Sequence, residues 1–193
     1  RAFVINILLL LALNLFVKPL YIFGIDVQIQ NTIGPEQYGL FFSIFNYTLL
    51  FQFILEYGIT NFVKREISIE PGRIHTYFSG LLILKAGFAM MYFGVVLGFA
   101  WLFQYSDNEI RLIIQVAGIQ FFITVVAFLR GLIIGQGWYK TDSIFSVLDK
   151  VIMILLLGWR LYWPGMQPPD LAYFVETYLL SVVITAIIVF IFM

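Results

Sequence analysis

The sequence contains no cysteine and a single histidine, His75, among its 193 residues. The absence of cysteine excludes disulfides, thiolate metal sites and a cysteine nucleophile, and one histidine cannot build a histidine-ligated metal site by itself. Charge is also scarce, because only 11% of the residues are charged and 11 basic residues balance 11 acidic ones. With no net charge to attract a polyanion, we expect no nucleic-acid partner.

Apolar side chains make up 62% of the chain, with 21 Phe and 11 Tyr among them. An ordinary soluble domain has about 45–50% apolar and about 25% charged residues. A chain this apolar does not have enough polar side chains to cover its own surface. The composition therefore predicts an integral membrane protein, with the lipid bilayer as its surroundings.

Six segments are long and apolar enough to cross a bilayer, which takes about 20 mostly apolar residues each. They are residues 3–24, 39–60, 77–103, 110–133, 144–163 and 171–193. Helix-starting residues separate them, such as Gly34-Pro35-Glu36 before the second segment and Ser106-Asp107-Asn108-Glu109 before the fourth. The sequence predicts one all-α domain over residues 1–193, a bundle of six transmembrane helices.

The helical pattern of the first span continues beyond the length needed to cross the bilayer. Isoleucines from Ile22 to Ile33 recur at helical spacing, while polar residues such as Asp26 occupy the other face. We predict a long helix kinked at Pro19. The same residues also alternate between apolar and polar, so a short strand is the alternative.

Basic residues predict the orientation, because they accumulate in cytoplasmic loops. They concentrate in segments 61–76 and 134–143, as Lys64, Arg65, Arg73 and Lys140. Segments 25–38, 104–109 and 164–170 contain none, although Arg111 and Arg160 lie near that side. Both ends of the chain are therefore predicted to be cytoplasmic. The chain starts at Arg1 and stops at Met193 within an apolar run, so we expect it to be part of a longer protein.

Charged residues within the spans are the candidate functional groups, since a charge near the bilayer centre costs about 2.5–3.5 kcal/mol or more. The candidates for contact with an anionic substrate are Lys18, Lys85, Arg130 and Lys150. The alternative for Lys18 is a side chain that extends to the membrane interface.

Carboxylates within the spans offer a structural alternative for the other cations. Glu56 and Lys85 are predicted to form an ion pair between neighbouring helices, and Arg130 and Asp149 a second pair. Lys150 would then extend to the interface or face a cavity. Glycines 80, 87, 94 and 98 of the third span predict close helix packing, because small residues let helices approach.

Several enzyme signatures are missing from the sequence. There is no glycine-rich phosphate-binding loop and no pair of nearby carboxylates to hold a metal with a nucleotide-sugar. We therefore predict a protein that is not an enzyme and carries no cofactor or metal.

Short motifs give the chain a resemblance to a known family. Residues 31–40 read Asn-Thr-Ile-Gly-Pro-Glu-Gln-Tyr-Gly-Leu after a first apolar helix. Residues 129–132 read Leu-Arg-Gly-Leu, 137–143 read Gly-Trp-Tyr-Lys-Thr-Asp-Ser, and 146–150 read Ser-Val-Leu-Asp-Lys. These segments resemble bacterial polysaccharide (O-antigen) flippases of the multidrug/oligosaccharidyl-lipid/polysaccharide (MOP, MATE-like) exporter superfamily.

The resemblance implies a transporter with two six-helix lobes around a central cavity, of which this chain is the amino-terminal lobe. It implies a bacterial inner-membrane protein that moves undecaprenyl-pyrophosphate-linked oligosaccharide to the periplasmic leaflet by alternating access, with a proton or sodium as a possible coupling ion. Drug-exporting relatives, the alternative, typically bind the coupling ion with an acidic residue in the first helix. The predicted first span has Lys18 and no carboxylate within the membrane, which favours an anionic cargo.

Overall fold

A computed structural model describes residues 2–70, 72 and 74–193, and the side chains of residues 8–70, 72 and 77–193. Arg73 and the side chain of His75, named above, lie outside this description. The described residues form helices and connecting segments, and no strand is present among them. The helices in chain order are α1 Ala2–Tyr21, a π-helical turn Ile22–Asp26, α2 Val27–Ile33, α3 Pro35–Leu50, α4 Phe53–Glu56, α5 Ile59–Ile69, α6 Ile74–Leu102, α7 Asp107–Gly135, α8 Tyr139–Phe145, α9 Leu148–Tyr162 and α10 Leu171–Phe192.

The first span is one long helical segment that continues through the π-helical turn to Ile33. This confirms the predicted helix and shows that the strand alternative was wrong. Pro19 lies inside α1 and the wider turn begins at Ile22, one turn later. A single π-helical turn inside an α-helix is a local widening of the helix. Asp26 is the last residue of this turn and therefore lies in the long helix, as predicted.

The second predicted span, 39–60, begins earlier and ends later than expected and is not straight. It consists of α3, α4 and α5, and its two main parts are bent by 43°. Gly58 adopts a left-handed conformation with φ of 77°, which glycine takes without steric cost. Lys64 and Arg65, expected in a loop, lie in α5 instead.

Among the residues that the structure describes, four helical segments are long and apolar enough to cross a membrane, or five when the bent pair counts as one span. The remaining predicted span, 144–163, is interrupted because α8 ends at Phe145 and α9 begins at Leu148. Ser146 lies in this break and donates a hydrogen bond of 2.7 Å to the carbonyl oxygen of Ser143. Such side-chain bonds compete with the helical pattern. A count of six crossings stays a prediction.

Helix α7 is the centre of the bundle, since α3, α5, α6, α8 and α10 all pack against it. Its start follows the predicted signal, because Ser106 and Glu109 form a reciprocal capping box. Its buried residues join two apolar clusters, one with α3, α6 and α10 and one with α5 and α6. The contacts also give relative directions: Asn14 and Gly24 of the first span meet Ser146 and Tyr162, so the first and fifth segments run parallel.

The closest approach between helices occurs where α5 meets the glycines of α7. A Cβ on Gly135 would lie 2.7 Å from Cβ of Ile67, and one on Gly131 would lie 3.3 Å from a methyl group of Thr60. This pair at four-residue spacing provides the close packing expected of small residues. The predicted packing glycines of α6 are different, since a Cβ on Gly94 or Gly98 would meet no atom within 4 Å.

Substitution of Gly135 by alanine is expected to destabilise the protein, because the added methyl group overlaps Ile67. Overpacking of this kind costs about 1–3 kcal/mol. Thermal unfolding of the detergent-purified protein should show a lower midpoint for Gly135→Ala. The matched Gly94→Ala adds the same methyl group in open space and should unfold at or above the unsubstituted midpoint. Equal losses in both variants would contradict the packing described here.

Candidate functional site

A group of polar side chains lies between α1, α7, α8, α9 and α10, in an otherwise apolar bundle. We call this group the polar seam, and its members are Asn14, Arg130, Asp142, Ser146, Asp149, Lys150 and Tyr178. Three of them, Arg130, Asp149 and Lys150, were singled out from the sequence. The seam is the main concentration of contacting charges in the part of the chain that the structure describes.

Arg130 near the end of α7 forms a two-point ion pair with Asp142 of α8. Its Nε and one terminal nitrogen donate to the two carboxylate oxygens at 2.7 and 3.2 Å. The Asp142 side chain is only 10% exposed and that of Arg130 is 25% exposed. This two-point geometry is the stronger form of the arginine–carboxylate interaction. The predicted partner, Asp149, is not the one used, because the turn between α7 and α8 brings Asp142 closer to the guanidinium.

Lys150 at the start of α9 has three partners of different chemistry. Its Nζ lies 3.3 Å from a carboxylate oxygen of Asp149 and donates to the Tyr178 hydroxyl at 3.2 Å. It also lies 4.8 and 4.5 Å from the ring centroids of Tyr21 and Tyr178. Neighbouring positions on a helix point about 100° apart, yet the long lysine side chain bends back to the carboxylate. Asp149 is thus neutralised within its own helix and not, as predicted, by another one.

The break between α8 and α9 is tied to the first span. Asn14 donates a hydrogen bond of 3.2 Å to the hydroxyl of Ser146. Lys18 lies one turn after Asn14, and Tyr21 follows three residues after Lys18, so all three lie on one face of α1. Tyr21 on this face contacts Lys150. Its side chain is exposed and forms no hydrogen bond or ion pair with the described residues. Lys18 therefore borders the polar seam as an unpaired cation.

A small cavity opens onto the seam. Its volume is about 160 Å³, and it is lined by Arg130, Ser146 and Asp149 together with Ile123, Val126, Ala127, Phe145 and Val182. The cavity is large enough for water and for small polar groups. Of the four candidate cations, Arg130 lines this cavity, where it is paired with Asp142, and the contact of these cations with an anionic substrate stays a prediction.

A carboxylate of the first span also lies near the seam. Asp26 ends the π-helical turn, and both of its carboxylate oxygens are 3.0 Å from the hydroxyl of Tyr38 in α3. It is close enough to Lys150 for the two charges to interact. Asp26 lies on the polar face of the predicted extension of the first helix, and the absence of a carboxylate from the membrane part of that helix stays a prediction.

Lys85 lies apart from the seam, in a different surrounding. It is only 3% exposed, and its Nζ donates to the backbone carbonyl of Leu55 at 3.4 Å. Leu55 belongs to the short α4, whose last carbonyls have no helical partner where the span breaks. The predicted ion pair with Glu56 is not formed at contact distance, since Glu56 instead accepts a hydrogen bond from Thr60. Lys85 caps the broken span.

The structure thus gathers some of the predicted site residues and separates others. Arg130, Asp149 and Lys150 lie together with Lys18 at their edge, whereas Lys85 and Glu56 lie at the break of the second span. Asp142, Tyr178 and Asp26 were missed. Asp142 falls in one of the family-like motifs but was assigned to a loop. Its spacing of 12 residues from Arg130 indicates an ion pair only once α7 and α8 are known to be joined by a short turn.

No cluster of three or more potential metal-ligating side chains occurs among the residues whose structure is described. The chemistry available at the seam is therefore ionic and hydrogen-bonding: fixed cations held by carboxylates, with hydroxyl groups beside them. Such groups can bind an anion, exchange partners or carry a proton.

A comparison with protein-family models gives a match that covers almost the whole chain. The family model described as polysaccharide biosynthesis protein matches residues 3–193. No curated protein and no solved structure matches the chain.

Asp142→Asn is expected to lower stability, because it leaves Arg130 without its carboxylate. We expect a loss of about 1–3 kcal/mol, less than the about 3–5 kcal/mol of fully buried pairs, since Arg130 retains some contact with its surroundings. The double variant Arg130→Gln with Asp142→Asn should recover a large part of this loss. Midpoints of thermal unfolding in detergent measure both effects, and strictly additive losses would show that the two side chains are not coupled.

Proposed function

The chain belongs to the polysaccharide biosynthesis protein family, and on this premise we propose that it forms one lobe of a lipid-linked oligosaccharide flippase. The cargo is undecaprenyl-pyrophosphate-linked oligosaccharide, which the transporter moves from the cytoplasmic to the periplasmic leaflet by alternating access. The lobe has six crossings, the fifth formed by α8 and α9 together, and both of its ends are cytoplasmic. The membrane is the bacterial inner membrane.

The observation that carries this proposal is the polar seam with its cations inside an apolar bundle. Burying a charge in hydrocarbon costs several kcal/mol, so a chain that needed only stability would place apolar residues there. A pyrophosphate head is a concentrated anion and requires fixed positive charge along its path. Arg130 and Lys150 supply such charge, and Lys18 supplies it without a paired carboxylate.

The pairing of the seam fits a transporter that must release its cargo. Asp142 and Asp149 neutralise Arg130 and Lys150 while the site is empty, which removes the cost of unpaired buried charges. A pyrophosphate that enters competes with these carboxylates for the same donors. When the lobes move and the phosphate leaves, the carboxylates return. The protein acts by binding and movement and performs no covalent chemistry, so we assign it no cofactor and no resident metal.

Lys18→Ala is expected to block transport, because it removes a cation that borders the seam and has no ion-pair partner among the described residues. In cells that carry the variant as their sole copy of the encoding gene, surface polysaccharide should fall about tenfold or more, as for loss of one charge-assisted contact. Immunoblotting of membranes should show unchanged protein abundance, since the exposed side chain forms no hydrogen bond or ion pair with the described residues.

Lys18→Arg preserves the charge and should restore much of the polysaccharide. Lys140→Ala provides the matched control, because Lys140 is also exposed but lies in α8 at the edge of the bundle. Normal polysaccharide from Lys18→Ala would remove this residue from the cargo path.

A cation-coupled multidrug exporter of the same superfamily is the second candidate function, and Asp26 is the observation that favours it. A carboxylate in the first span, close to Lys150 and hydrogen-bonded to Tyr38, has the surroundings of a group that binds a proton or sodium. The same group is compatible with ion coupling in a flippase, so the cargo and not the ion separates the two functions.

Asp26→Asn keeps the hydrogen-bonding shape of the side chain and removes its charge. If the protein is an exporter coupled through this residue, expression of the unsubstituted gene should raise resistance to cationic drugs and the variant should not. If the protein is a flippase, drug resistance is unchanged in both, and surface polysaccharide reports the effect of the substitution. Minimal inhibitory concentrations and polysaccharide gels distinguish these outcomes.

A further inference from the structure

An apolar groove lies on the side of the bundle where the bent second span separates from α6. Its volume is about 490 Å³, within the about 300–1,000 Å³ of typical small-molecule pockets. The walls come from α5 with the turn before it and from the first half of α6. The lining residues are Tyr57, Gly58, Ile59, Phe62, Tyr77, Gly80, Leu81 and Leu84.

Backbone geometry and missing side chains create this groove. The helix is interrupted between α4 and α5, where Gly58 takes its left-handed conformation and forms one end of the groove. Opposite it, Gly80 of α6 has no atom within 4 Å of the position a Cβ would take. The wall is therefore open at Gly80, and the exposed Tyr57 extends beside it.

Both walls belong to segments that are apolar enough to lie in a membrane. The medium around the groove is then hydrocarbon and not water, and a concave apolar surface at this depth fills with an alkyl chain. The groove is a shaped cavity between two helices and not a flat helix face. Its occupant is a chain of the bilayer itself.

A basic side chain lies where the head of such a lipid would be. Arg65 follows Phe62 by three residues on α5, which places both on one face of the helix, and it is exposed. Arg65 itself belongs to the basic segment 61–76, which is predicted to lie on the cytoplasmic side. A guanidinium at the interface binds a phosphodiester through paired hydrogen bonds.

We propose that this groove is a binding site for one bilayer phospholipid, with an acyl chain between α5 and α6 and its phosphate at Arg65. The inference depends on the membrane location of the chain and not on the flippase proposal. Because the walls are α5 and α6, a bound chain stabilises the arrangement of these two helices. Membrane lipid composition then biases the conformation of the lobe.

Photolabelling tests the site directly. The purified protein in nanodiscs is exposed to phosphatidylglycerol that carries a diazirine midway along one acyl chain, and labelled peptides are mapped by mass spectrometry. We expect label on residues 57–62 and 77–84. Gly80→Leu adds a side chain whose Cβ would meet no atom within 4 Å, and by occupying the groove it should reduce labelling there about tenfold. Gly87→Leu, also on α6 with open space around it and outside the groove, is the matched control and should label normally.

A second set of probes tests the head and the identity of the chain. Arg65→Gln should reduce labelling by the phosphatidylglycerol probe but not by a diacylglycerol probe, which lacks the phosphate. Equal labelling by both probes in the unsubstituted protein would overturn the assignment of Arg65. Label outside the groove, or equal losses in Gly80→Leu and Gly87→Leu, would overturn the site. Displacement of the probe by polyprenyl phosphate, but not by equal amounts of unlabelled phosphatidylglycerol, would overturn the phospholipid and indicate the tail of the cargo.

Discussion

Inside a bilayer there is no water to hydrogen-bond a free carbonyl or to solvate a charge, so each such group requires a partner within the protein. This requirement accounts for the partners of both irregular regions of the lobe. Where the second span breaks, Lys85 donates to the carbonyl of Leu55. Where the fifth segment breaks, Ser146 bonds to the backbone and accepts from Asn14. Each break is therefore paired with a polar side chain from another part of the lobe.

The polar seam satisfies the same requirement with ion pairs, and the proposed function depends on their balance. In the structure Arg130 is paired with Asp142, and Lys150 with Asp149. Under the proposal, an anionic cargo would exchange places with these carboxylates, so that no cation is left without a partner in the empty state. Such an exchange would require no permanently open charged pore.

Local signals in the sequence were reliable where the responsible contacts are themselves local. Gly34 precedes Pro35 at the start of α3, Ser106 and Glu109 cap α7, and Asp170 accepts a hydrogen bond from the backbone of Tyr173 at the start of α10. Ion pairing was predicted less well. Arg130 pairs with Asp142 and not with the predicted Asp149. The pairing depends on the turn between α7 and α8, and the periodicity of the sequence does not predict the geometry of a turn. Close helix packing was predicted at the wrong glycines for the same reason. It was expected at Gly94 and Gly98 and occurs at Gly131 and Gly135.

The sequence by itself determined that the chain is an all-helical membrane protein of the polysaccharide biosynthesis family, because apolar run length and short motifs are properties of consecutive residues. The tertiary structure alone decided that the first helix brings Asp26 to Tyr38, that the second span is interrupted at Gly58, and that Lys85 caps a backbone carbonyl. These features arise from distances between segments that are far apart in the chain. Such distances are fixed only when the helices pack.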